Sequence, residues 1–187
     1  MTEDMRDYVV DIISAEKKAE NMKKLANRDA LTGIRNKTAF DAEIERVKEG
    51  IAKGNTKVGL AMIDLNFLKR INDTYGHDKG NAAIMNLCRI TCNIFTHSPV
   101  YRIGGDEFVV ILRDNDYEHF DELLDTFNKE LEALAADPSL EPWERVSAAM
   151  GAAFYDETID EDIDSLLKRA DGIMYERKKE MKAQRAR

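Results

Sequence analysis

Two short stretches of this chain set carboxylates where chemistry is feasible. The first is Tyr101-Arg102-Ile103-Gly104-Gly105-Asp106-Glu107-Phe108, followed by Val109, Val110, Ile111 and Leu112. Apolar, β-branched residues after a Gly-Gly pair predict strand, two-residue turn and strand. Asp106 and Glu107 then stand at the mouth of a tight turn, where glycine, lacking a Cβ, lets a ligand approach the backbone. The second stretch, from Lys57 to Ile63, is a continuous apolar run typical of a buried central strand, and it ends on Asp64 with Asn66 two residues on. If the two strands are neighbours in one sheet, Asp64 converges on Asp106 and Glu107. Hard carboxylate oxygens at that spacing suit Mg²⁺, and two such ions suit an in-line displacement at phosphorus. Either acidic stretch alone is equally well explained as decoration of a strand end or turn; the pair favours a site.

These carboxylates need a scaffold. With 187 residues, 43% of them hydrophobic and 34% charged, the chain can form one globular domain with a full core and an appendage. A net charge of −8 argues against a nucleic-acid partner, because no cationic surplus is present to neutralise a duplex. A single nucleotide, its charge met by metal and a few lysines, remains compatible. Nothing approaches a membrane-spanning apolar run and the N-terminus has no signal-peptide pattern, so no membrane contact is expected of this fragment and the cytoplasm is the default compartment. Cys88 and Cys92, four apart without metal-ligand partners, read as buried free thiols.

The chain from about Thr2 to Arg28 has neither Pro nor Gly and is rich in helix formers. Heptads place Met5, Ile12, Ala19 and Ala26 at one seam position and Tyr8, Ala15 and Met22 at the other. This thin seam fits either a weak pairing of two chains or a lone helix folded back on the domain. A break at Asp29–Asn36 follows, with Asn36 placed to cap a helix over 37–53. After Asp64, a short helix from Leu65 would turn its first amides toward the acid, an arrangement that favours phosphate, with Lys69 and Arg70 close by. Asn72 has the right chemistry to read a base edge, although a solvated or capping role is commoner for such a residue. His77 fits a cap or packing residue at the next helix, over 78–95. An acidic amphipathic helix over 116–136, a strand over 145–155 and a helix over 160–182 complete an α+β order of ferredoxin-like, polymerase-palm-related type: a mixed or antiparallel central sheet flanked by helices. The basic last residues are expected to fray.

At this point the residues resemble the GGDEF family of diguanylate cyclases. Gly104-Gly105-Asp106-Glu107-Phe108, preceded by Arg102, reproduces the signature that names the family. Asp29–Lys37 is similar to its opening motif, Asp64–His77 to its metal and guanine segment, and Ala170-Asp171 with Tyr175 and Lys178 to its last helix. The likeness implies a nucleotidyl-cyclase-like fold with an N-terminal signalling helix (1–28, a possible coiled-coil linker), a cyclase domain (29–182) and a basic tail (183–187). It implies a transferase in signal transduction that condenses two GTP into cyclic di-GMP with release of two pyrophosphates, working as a homodimer below an upstream sensor domain. On that template Asp64, the Leu65 carbonyl, Asp106 and Glu107 bind two Mg²⁺ or Mn²⁺ per site, and Asp106 or Glu107 helps to remove the 3′-hydroxyl proton. Amides near Phe67 and Leu68, with Lys178, cradle phosphates, and Lys69 offsets charge in the transition state. Asn72 and Asn81 meet guanine, His77 lies near the nucleotide, and Gly104 and Gly105 leave it room. Arg102 reads as a structural ion-pair partner.

Several positions depart from the family pattern. Asn66 stands where a second Asp is frequent, Asn81 replaces a frequent Asp, Lys182 replaces a common Arg, and Ala148–Gly151 replaces a polar strand motif. Phe95-Thr96-His97-Ser98 stands where the family carries its product-inhibition Arg-x-x-Asp motif, so no feedback through that segment is expected. The alternative these departures raise is a catalytically weak or inactive domain that binds GTP and regulates a partner.

Overall fold

The computed structural model describes residues 3–185, with side chains placed from Ile13 onward except those of Ala19, Lys24 and Arg185. Helix α1 (Glu3–Ala26) precedes the domain. Its described side chains from Ile13 to Ala26 are exposed, among them Met22 and Leu25. This stretch is therefore not folded back on the domain. The seam positions Met5, Tyr8, Ile12 and Ala19 lie outside the described side chains.

Asn36 joins α1 to the domain. Its side-chain oxygen accepts from Ala39 N–H at 3.1 Å, capping α2 (Lys37–Ala52), while its amide donates to the Ala26 carbonyl at 2.8 Å. Five strands form one sheet in the order β1-β3-β4-β2-β5: β1 (Arg35–Asn36), β2 (Gly59–Leu65), β3 (Val100–Arg102), β4 (Glu107–Leu112) and β5 (Ala148–Phe154). The apolar β2 is central as its composition predicts, antiparallel to both β4 and β5. Strand alternation splits the core in two. Ala61, Ile63 and Leu65 face the layer of α4 (His77–Ile94) and α6 (Phe120–Ala136). Leu60 and Met62 face α2 and α7 (Ile163–Arg185). By the same alternation Asp64 points to the α7 side.

The sheet receives α7 through a missing side chain. A Cβ on Gly151 would lie 2.0 Å from Met174 N and 2.7 Å from Ala170 O, so the helix backbone rests directly on β5. Lys178, one turn beyond Met174, is thereby carried to the end of β2.

Five expectations are corrected. The Gly-Gly turn is longer than two residues, because Arg102 pairs with Phe108 and Ile103 N–H bonds the Glu107 carbonyl at 3.0 Å; neither glycine has positive φ. The helix expected over 116–136 is broken at His119 into α5 (Asp114–Glu118) and α6, since Asp116 turns inward, 1% exposed, to accept from His97 N–H at 2.9 Å. The last helix starts at Ile163, later than expected, because Asp160 turns in to Arg169 and Asp162 caps Ser165. It also runs through the basic tail to Arg185. Arg145 reaches the Leu140 carbonyl and belongs to the loop before β5, not to the strand. The short β1, parallel to β3, has no sequence signal. Cys88 is buried and Cys92 half-buried, both free.

Gly151→Ala is expected to lower stability by roughly 2–3 kcal/mol, because backbone cannot yield as a side-chain tip would. Thermal unfolding should show a drop of roughly 5–10 °C; an unchanged transition would mean that α7 is not seated on β5.

Candidate active site

The β2–β4 register sets Asp64 directly opposite Glu107, and the Leu65 N–H bonds the Asp106 carbonyl at 2.9 Å to hold the loop over the strand end. Asp64 is 5% exposed, and Lys178 Nζ of α7 lies 2.6 Å from its Oδ1. This is an ion pair by distance but poorly aligned as a hydrogen bond, so Oδ1 has no properly directed donor. Burial pushes the Asp64 carboxyl up; Lys178 opposes the rise, Asp106 adds to it, and the balance is upward. Glu107 is also raised, first by burial and then by the charges of Asp106, Asp64 and Asp171. Its carboxylate uses the room that Gly104 leaves, where a Cβ would meet Glu107 Oε2 at 2.5 Å. At Gly105 a Cβ would meet nothing, and that position is open.

Arg102 fixes this loop from behind. Its guanidinium donates to both oxygens of Asp29, at 2.9 and 3.1 Å, and to the Gly105 carbonyl at 2.8 Å, which bears out the structural role read from sequence. Burial alone would raise the Asp29 carboxyl, but hydrogen bonds from Thr32 and Arg102 outweigh it and hold it below its usual range. The opening motif and the acidic loop are one hydrogen-bonded unit.

Below β2 the chain turns through Phe67, at φ 63, into α3 (Leu68–Tyr75). Left-handed backbone at a bulky residue is strained and persists where the surroundings impose it. Lys69 is exposed on the first turn of α3. Gly76, at φ 88, makes the corner into α4, which begins at His77. There Asn72 lies against Gly80, where a Cβ would fall 1.8 Å from Asn72 Oδ1. Sequence reasoning passed over Gly80; its signal was a glycine inside a helix, which weakens the helix unless close packing needs it. The side chains of Asn72, His77 and Asn81 have no hydrogen-bond partner among the described residues. Asn66 is 2% exposed, its amide near Ser147 Oγ at 3.2 Å and Met181 S at 3.6 Å, while its Oδ1 has no donor. Phe95 is 1% exposed, packed on Phe120, and Ser98 Oγ accepts from Arg113 N–H, so this segment offers a core residue and an engaged hydroxyl in place of an Arg-x-x-Asp pair.

Among the described residues no three acid, histidine or cysteine side chains are gathered into a ready metal cluster. The donors nevertheless fit a hard divalent cation: Asp64 and Glu107 repel each other from opposite strands, Asp106 adds charge, and the buried Asp64 Oδ1 lacks an aligned donor.

Fold and site together define an α+β domain with opposed carboxylates at the end of its central strand. The family profile described as "Diguanylate cyclase, GGDEF domain" matches residues 26–184, and the chain belongs to the GGDEF family. It is 29% identical over 158 residues, 83% of this chain, to the probable diguanylate cyclase DgcT of Escherichia coli K12. To the response regulator PleD of Caulobacter vibrioides it is 35% identical over 92 residues, 49% of this chain. The matches make up 34% of DgcT and 20% of PleD, so the chain spans well under half of these curated relatives. Among solved structures, the GGDEF domain of DgcB from Caulobacter crescentus in complex with c-di-GMP superposes with a TM-score of 0.70 at 27% identity, over 82% of this chain and 91% of that one. The DgcB structure that includes its coiled coil gives 0.78 at 24% identity, over 91% and 90%, a likeness of fold. Among the described residues no helix is long and apolar enough to cross a membrane.

Glu107→Gln tests the charge surplus. A carboxyl with a raised folded pKa costs stability in full above that value and nothing below its ordinary value. The ligand-free variant should therefore melt higher at neutral pH, by roughly 2–4 °C for about 1 kcal/mol. The gain should vanish as the pH falls below the ordinary glutamate value of 4.5. An equal or lower melting temperature at neutral pH would show that the site carries no such repulsion.

Proposed function

We propose that this domain is a diguanylate cyclase that condenses two GTP into cyclic di-GMP and two pyrophosphates. The observation that carries the reading is Asp64 facing Glu107 across β2–β4, with Lys178 above it and the first turn of α3 beside it. In each half-reaction the 3′-oxygen of one nucleotide bonds to the α-phosphorus of the other. The bond from that phosphorus to the bridging oxygen of the β-phosphate breaks, and pyrophosphate leaves. Asp64, the Leu65 carbonyl, Asp106 and Glu107 would hold Mg²⁺ or Mn²⁺, which supplies charge neutralisation at the phosphates when bound.

The chain's own groups account for the remainder. Lys178 and the amides at Phe67 and Leu68 bind the β- and γ-phosphates, and the exposed Lys69 offsets charge that develops on the leaving group. Asn72, held beside α4 by the space at Gly80, and Asn81 meet the guanine edge, with His77 near the nucleotide. Glu107 or Asp106 accepts the 3′-hydroxyl proton. Gly105 leaves open space beside the acids. Each site holds one nucleotide, so two domains must face each other. Pairing through α1 is supported by the exposure of its described seam positions Ala15, Met22 and Ala26, with Leu25 beside them. An upstream sensor would act through the same helix.

Pyrophosphate release from GTP with Mg²⁺, with chromatography of the product, is expected to give cyclic di-GMP at a rate per chain that rises with protein concentration. Asp106→Ala should abolish turnover with the fold retained, and turnover that survives would refute the metal assignment. Tight GTP binding without pyrophosphate release at any concentration would identify the regulatory GTP-binding domain instead. ATP should compete poorly, and equal competition would remove Asn72 and Asn81 from base recognition.

A further inference from the structure

Lys178, a phosphate ligand in the reading above, sits against a buried carboxylate. Its ammonium lies 2.6 Å from Asp64 Oδ1, with the lysine side chain 22% and the aspartate side chain 7% exposed. Backbone packing at Gly151 fixes the helix that delivers it, so the placement does not depend on one surface rotamer alone. Yet the ammonium does not satisfy the carboxylate's hydrogen-bond geometry, and Asn66 Oδ1, two residues on and also on the α7 side, is buried without a donor. The acids Asp64, Asp106, Glu107 and Asp171 all act on this point, and Lys178, helped at Asp64 by Lys182, opposes them.

We infer that Lys178 is a placeholder cation: in the ligand-free domain it occupies Asp64, and it must move from Asp64 to the triphosphate before a divalent cation takes that carboxylate. The inference rests on the nucleotide-site reading above and adds an order to it. One carboxylate oxygen cannot hold an ammonium and a dication together without strong repulsion between them. A polyphosphate offers the displaced ammonium a new anion, so the lysine stem needs to swing while α7 stays seated. Metal alone therefore binds poorly, nucleotide improves metal binding, and by reciprocity metal improves nucleotide binding. In the ligand-free domain Lys178 keeps the acids from capturing stray cations.

Calorimetric titration of the whole chain with Mn²⁺ alone tests this. Lys178→Met is expected to bind Mn²⁺ roughly tenfold more tightly than the unaltered chain, in the usual range of couplings between linked sites. The same variant should bind an α,β-methylene analogue of GTP, which cannot react, more weakly. Lys179→Met is the control for net charge: that lysine pairs with Glu176 at 2.8 Å and lies over the Tyr175 ring, away from Asp64. It should leave Mn²⁺ affinity unchanged. Melting curves verify folding, and Lys178→Gln repeats the test if methionine disturbs it. If Asp64→Asn abolishes Mn²⁺ binding but neither Lys178 variant tightens it, the placeholder is refuted and the site stands. Equal tightening in the Lys179→Met control refutes it too. If Asp64→Asn leaves Mn²⁺ binding unchanged, the metal reading itself fails.

Discussion

A carboxylate buried at the end of a central strand is unstable on its own, and much of this domain is arranged around that fact at Asp64. Strand β2 is apolar on both faces because helices cover both, so its terminal acid is drawn out of water with it. The opposite strand brings a second acid into register, which makes matters worse. Lys178 is the direct answer within the chain, and it arrives because α7 lies on the bare backbone of Gly151. Packing on one side of the sheet thus decides the electrostatics at its end. The balance remains incomplete, since both Asp64 and Glu107 hold their protons more tightly than ordinary carboxyls.

The acids are kept in place by groups that take no part in the chemistry. Arg102 ties the Gly105 carbonyl to Asp29, and Asp29 is organised by Thr32, so the loop bearing Asp106 and Glu107 leans on the segment that follows α1. Asn36, in the same segment, caps α2 and bonds the last carbonyl of α1. A disturbance of α1 therefore has a continuous hydrogen-bonded route to the acidic loop. That route runs through main-chain and charge-assisted bonds between elements that are themselves packed.

The sequence was most legible where physics is local. The apolar run of β2, the periodicity of α2 and α4, the Asn36 cap and the motif around Asp106 all follow from residue types over a few positions. What escaped it depends on partners far along the chain. Asp116 reads as one more solvated acid until His97 is folded beside it, and this contact divides the helix in two. The two-residue β1 exists because β3 offers an edge. Gly104 also makes room within the chain, since a Cβ there would meet Glu107 Oε2. Gly80 and Gly151 carry the same lesson: a glycine within a regular element marks an approach whose partner the sequence does not name.

The central claim is that the opposed acids at the end of β2 await a nucleotide and a divalent cation together. Thermal unfolding with an α,β-methylene analogue of GTP and Mg²⁺, added singly and in combination, tests it most directly. A melting temperature that rises far more with the pair than with either alone, and a rise that is lost in Asp64→Asn, is the predicted result. No rise, or the same rise without the Asp64 carboxylate, would contradict the account.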